Sequence, residues 1–186
     1  MRLFARIRQL NAIVTVAIFV LFCIHAVVNT LLLADIITMP VNKVITWAMA
    51  VLVCVHVVVG IVVTVETFRA QREAGASYPG LNKRFWAVRI SGVAIVAFIV
   101  IHVLLLGPQP AGSPFLHPFH GAELAVSLLL VASLAVHVFC NAVPLMVSLG
   151  VCSDRGRAID FCIVAGVILV ISAVGFVLYY LRWMVM

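Results

Sequence analysis

The stretch VITWAMAVLVCVHVVVGIVVTVET, Val44–Thr67, decides the fold. It exceeds the ~20 apolar residues that a helix needs to cross the hydrocarbon of a bilayer. Its one charge, Glu66, lies near its end, and its one histidine, His56, sits inside VLVCVHVVV. Four more segments have the same character: Ala12–Leu33, Trp86–Leu106, Ala122–Val147 and Phe161–Trp183, where charge enters only near the ends, at Arg89, Glu123 and Arg182. Hydrocarbon offers no partner to a backbone N–H or C=O, so spans of this kind are helices. The connections are too short for a soluble domain. Residues 1–186 are therefore expected to form a single membrane domain, an all-α bundle of five transmembrane helices.

Composition excludes the other broad classes. Of 186 residues, 66% are apolar and 10% charged, and the mean hydropathy is +1.28. A soluble domain has about 45–50% apolar and about 25% charged residues, and a chain this short leaves much of its area exposed. The net charge of +6 would suit nucleic acid, but the basic residues sit between apolar runs and make no single patch. Cys23, Cys54, Cys140, Cys152 and Cys162 contain no C-x-x-C pair, which argues against an iron–sulfur cluster or a disulfide framework and reads as small buried hydrophobes. The apolar run after Arg2, Arg6 and Arg8 is too long for a signal peptide and is kept as the first span.

Lysine and arginine set the orientation. Arg2, Arg6, Arg8, Arg69, Arg72, Lys83, Arg84, Arg89, Arg155 and Arg157 fall on one side, against Lys43 and Arg182 on the other. The N-terminus is thus expected in the cytoplasm and the C-terminus outside. The outer loop Gly107–Gly121 has no charge and four prolines, Pro108, Pro110, Pro114 and Pro118, and should be stiff and lie against the membrane surface. The basic inner loop Arg69–Arg84 either receives a soluble partner or simply reports topology.

His25, His56, His102 and His137 carry the chemistry. Each stands alone in an apolar stretch, one in each of the first four spans. An imidazole in hydrocarbon is costly without a partner and marks function by default. At 1.5 Å rise per residue, His25 lies ~20 Å and His102 ~24 Å from the cytoplasmic ends of their helices, and His56 and His137 ~16 Å. Depth therefore pairs His25 with His102 nearer the outside, and His56 with His137 nearer the cytoplasm. Two imidazoles on opposite sides of a flat macrocycle is the arrangement of bis-histidine haem, whereas zinc wants three or four ligands at one depth. The expectation is two haem b groups, held non-covalently because there is no C-x-x-C-H.

Five helices with one histidine on each of the first four resemble the di-haem cytochrome b anchor of succinate:quinone oxidoreductases, of the succinate:menaquinone reductase and quinol:fumarate reductase type. The resemblance spans nearly the whole chain. RISGVAIVAFIVIH, Arg89–His102, is similar to the family's R-x-[ST]-G stretch ahead of a ligand histidine. It implies that His25 and His102 bind a distal haem and His56 and His137 a proximal one. It also implies a flavoprotein and an iron–sulfur subunit docked on the cytoplasmic face, menaquinone as the membrane substrate, and a multi-pass protein of a prokaryotic plasma membrane. One departure is that Ala135 and Val136 precede His137, where proton-coupled members carry a glutamate. Quinol cytochromes of the bc type and nitrate reductase anchors draw four ligands from two helices, unlike this chain.

No flavin fingerprint or cysteine cluster is present, so the chain by itself does not act on a dicarboxylate. It would relay electrons between the iron–sulfur subunit and the quinone. Arg89 and Ser91 are candidates to hold a haem propionate, though Arg89 could equally anchor a helix end by snorkelling. A quinone site needs a hydrogen-bonding group and a proton exchanger. Outer candidates are Asn29, Asp35, Glu123, His117 and His120, the last two also readable as plain loop residues. Inner ones are Glu66, Arg69 and Trp86. Pro144 is expected to kink the fourth helix and free a carbonyl, and Gly166 and Gly175 to permit close packing. The rival readings are a di-haem anchor of another quinone-linked reductase and a haem-free transporter with a histidine proton relay.

Overall fold

A computed structural model describes residues 2–37, 43–73, 75, 83–106, 118–151 and 155–185. Among these residues there are five helices: α1 Arg2–Leu33, α2 Lys43–Glu73, α3 Lys83–Leu106, α4 Gly121–Ser148 and α5 Arg155–Val185. All five are long and apolar enough to cross a membrane. They overrun the apolar segments mainly at the basic end of the bundle, where α1 starts ten residues before Ala12 and α2 continues past Thr67 to Glu73. Straight-chain basic residues are good helix formers, so loss of apolar character does not end a helix. Pro108, Pro110, Pro114, His117 and Cys152 lie outside the described residues.

The surface is that of a membrane protein. Large apolar side chains face outward on every helix, among them Trp47 at 69% exposure and Leu104 at 77%, and α2 has no buried residue. Such a coat is stable only against lipid. Cys54 is exposed within it, so it is not the buried hydrophobe that the sequence suggests. Its partner there would be hydrocarbon.

Helix α1 packs on α2 and α5, α4 packs on α3 and α5, and α1 also approaches α4. Among the described residues, α2 and α4 do not bring their backbones close, nor do α1 and α3. Among the described residues, the α1–α2 and α3–α4 layers therefore approach each other by backbone at α1 and α4, and elsewhere side chains cross the cleft between them. At the basic end Phe68, Phe85 and Trp86 close it, with ring centroids 5.6–6.2 Å apart. At the opposite end Phe119, just before α4, is driven inward to 1% exposure against Phe176 and the fully buried Tyr179. That corrects one expectation for the outer loop: at Phe119 it plugs the bundle instead of lying on its surface.

Helix ends and breaks are satisfied locally. Helix α1 stops in a Schellman turn: Ile36 N–H donates to Leu31 O (2.9 Å) and Asp35 N–H to Leu32 O (3.0 Å), with Asp35 at φ 61°. Helix α4 stops the same way, with Gly150 at φ 76° taking the left-handed position. Pro144 has no N–H for the Cys140 carbonyl, yet that carbonyl is not left free: Arg84 Nε of α3 donates to it at 2.6 Å.

The two glycines of α5 differ. A Cβ at Gly175 would stand 2.8 Å from Thr30 Cγ2, so this glycine sets the approach of α1 to α5. A Cβ at Gly166 would make ordinary contact, 3.7 Å from Phe139, so close packing does not require a glycine there. Gly175→Ala should lower stability in detergent by about 1–3 kcal/mol through overpacking, and adding Thr30→Ala should recover most of it. Gly166→Ala should be near neutral in the same thermal-unfolding assay.

Candidate functional site: two facing histidine pairs

The cleft is bridged by histidines. His25 of α1 faces His102 of α3, with ring centroids 6.4 Å apart and planes at 63°. His56 of α2 faces His137 of α4 at 6.2 Å and 80°. These are the partners that depth alone selects, because consecutive spans run antiparallel with a constant rise per residue. In both pairs the imidazoles reach across helices whose backbones stand apart.

The separation has a chemical meaning. Two metal–nitrogen bonds of about 2.0–2.1 Å, plus roughly 1.1 Å from each nitrogen to its ring centre, put the centroids of two axial imidazoles about 6.3 Å apart. The same spacing also suits an edge-to-face aromatic contact. Two further features, at Gly60 and Gly92, fit a flat group between the rings. Gly60 lies one turn from His56 on the same face, and a Cβ there would meet nothing within 4 Å. Gly92 lies against the His137 ring, 3.4 Å from a built Cβ to Cε1. The Nδ1 atoms of His25 and His102 are buried with no hydrogen-bond partner. Among the described residues, no three His, Cys, Asp or Glu side chains converge on one point.

The Arg89–Gly92 stretch gathers around His137. The His137 Nδ1 is 3.1 Å from Val88 O and 3.3 Å from Ser91 Oγ. Ser91 thus touches a histidine, a neighbour that the sequence reading, which put it on a propionate, did not assign. Arg89 stacks its guanidinium 3.7 Å above the Phe85 ring, and its Nε is buried without a partner. Thr15 of α1, which sequence reasoning passed over, has its Oγ1 3.2 Å from His56 Nδ1. No local signal marks it, since it stands 41 residues away in the chain.

The quinone candidates separate into structural couples. Asp35 pairs with Arg182 at 3.2 Å and supplies the left-handed residue that ends α1. Glu123 reaches back to accept from the His120 N–H at 2.9 Å, a capping box at the start of α4. At the basic end Glu66 accepts from Arg69 at 2.9 Å, and Trp86 belongs to the aromatic closure. Asn29 is half-buried on α1, one turn beyond His25 on the same helix face.

These contacts give Glu123 a mechanical role that can be separated from proton exchange. Glu123→Ala should cost about 0.5–2 kcal/mol, as loss of a helix cap does, whereas Glu123→Gln should keep most of the stability because its amide oxygen accepts the same N–H. Denaturation of both variants in detergent measures this. Comparisons with protein-family models, with curated proteins and with solved structures return no match to this chain, so the site is read from its own chemistry.

Proposed function

We propose that the chain is the cytochrome b membrane anchor of a succinate:quinone oxidoreductase-type complex, with one b haem between His25 and His102 and a second between His56 and His137. The observation that carries the reading is the repeated imidazole separation, 6.4 and 6.2 Å, in two pairs bridging one cleft. Haem held by these four histidines would supply one-electron transfer between an iron–sulfur partner and a quinone in the membrane.

This chain's residues do the rest. The four histidines offer neutral nitrogen ligands, and Gly60 and Gly92 leave room beside them. Arg89, next to Val88 at the basic end, has a buried Nε in need of an acceptor, which a propionate satisfies. Asn29, on the face of His25, supplies a hydrogen-bonding group for a quinone such as menaquinone near the opposite end. Asp35, Glu123 and His120 are the less suitable quinone groups, because α1 and α4 already use them.

By the positive-inside rule the basic end lies in the cytoplasm, with the N-terminus inside and the C-terminus outside. The flavoprotein and iron–sulfur subunits would then dock on that face, nearest His56 and His137, in a prokaryotic plasma membrane. A di-haem anchor of another quinone-linked reductase would have the same interior. The edge-to-face geometry of both pairs favours one further reading, a haem-free proton-relay transporter.

A reduced-minus-oxidised spectrum of the purified chain, with pyridine haemochrome quantification, tests the proposal. Two b haems per chain are expected, falling to about one in His25→Ala or His137→Ala, and to none in the double variant. A colourless protein made under adequate haem supply would overturn the assignment in favour of the proton relay.

A further inference from the structure

The two histidine pairs are not equivalent. Thr15 Oγ1 donates its one hydrogen to the Asn11 carbonyl at 2.8 Å. A hydroxyl has a single hydrogen, so at His56 Nδ1, 3.2 Å away, Thr15 acts as acceptor. With the hydroxyl hydrogen on the Asn11 carbonyl, His56 donates from Nδ1–H. The same logic holds for His137. Val88 O can only accept, and the Ser91 hydroxyl donates to that carbonyl at 3.1 Å, so His137 Nδ1–H is the donor to both. In each ring Nε2 is left as the unprotonated nitrogen. His25 and His102 have no comparable anchor, since their Nδ1 atoms are buried and unpartnered.

We propose that Thr15 is a positioning residue that fixes His56 in its Nδ1–H tautomer, and that with the Val88–Ser91 turn it makes the His56–His137 pair the tighter of two haem sites. The proposal rests on the haem reading above. Its physical basis is that a ligand imidazole donating its other N–H is held in one tautomer and orientation and is more basic, an effect worth 10–100-fold in metal affinity. The hydroxyl does nothing comparable for α1 itself, because a threonine bonded back to its own helix is neutral to slightly destabilising there.

Two measurements on the full chain test it. In the haem-free protein, 15N NMR of labelled histidines, with the His56 signal assigned by its loss in His56→Gln, should show the Nδ1–H tautomer alone. Thr15→Val, close to isosteric, should give a mixture of tautomers, and Thr15→Ser should restore the single form. An unchanged His56 tautomer in Thr15→Val, or an Nε2–H tautomer in the parent chain, overturns the positioning role. In the loaded protein, haem transfer to excess apomyoglobin should be biphasic. Thr15→Val should speed the slow phase by about tenfold or more and leave the fast phase alone, with Thr15→Ser close to the parent. An unchanged slow phase overturns the claim of tighter binding. A chain that takes up no haem would instead remove the haem reading, while the NMR result would still decide what Thr15 does.

Discussion

An imidazole inside hydrocarbon must find a partner, and the interior of this bundle is arranged around four of them. Each of the first four helices places one histidine on the cleft between the α1–α2 and α3–α4 layers, and each ring meets another across it. The layers are held at this distance by other means. Helix α5 packs on both α1 and α4, with its approach to α1 set by the missing side chain of Gly175. Aromatic groups close the cleft at its two ends. The histidines therefore meet between layers that other contacts also join.

Polar groups near the ends of the helices are committed to the backbone before they are free for chemistry. Four N–H groups at a helix N-terminus and four C=O groups at its C-terminus lack a partner within the helix, and lipid supplies none. Glu123 covers one such donor at the start of α4. Asp35 and Gly150 turn the chain at the ends of α1 and α4. Arg84 takes the carbonyl that Pro144 cannot serve. In a chain with so few charges, this use of titratable side chains narrows the candidates for proton exchange.

Much of the fold was legible because long apolar runs have one outcome in a membrane. The spans Val44–Thr67 and Trp86–Leu106 were readable to within a few turns, and the error lay at the basic ends, where helices outlast their apolar character. The site was legible only in its four histidines. Thr15 and Ser91 gain their roles from neighbours on other helices, as His56 and His137 respectively. Gly166 and Gly175 look alike in sequence, and only the position of Thr30 tells them apart. Phe119 sits in a proline-rich loop whose composition points outward, yet the gap at the end of the bundle draws it in.

The sequence by itself determined the number of spans and the partner of each histidine. Both follow from one-dimensional quantities: the length of an apolar run, and the distance of a residue from the end of a straight helix whose neighbours run antiparallel. Tertiary structure alone decided which polar groups stand against His56 and His137, which glycine of α5 is needed, and which acids are occupied as caps. Those depend on how the helices are rotated and how closely they approach, and hydrocarbon, being uniform, writes no rule for either into the order of residues along the chain.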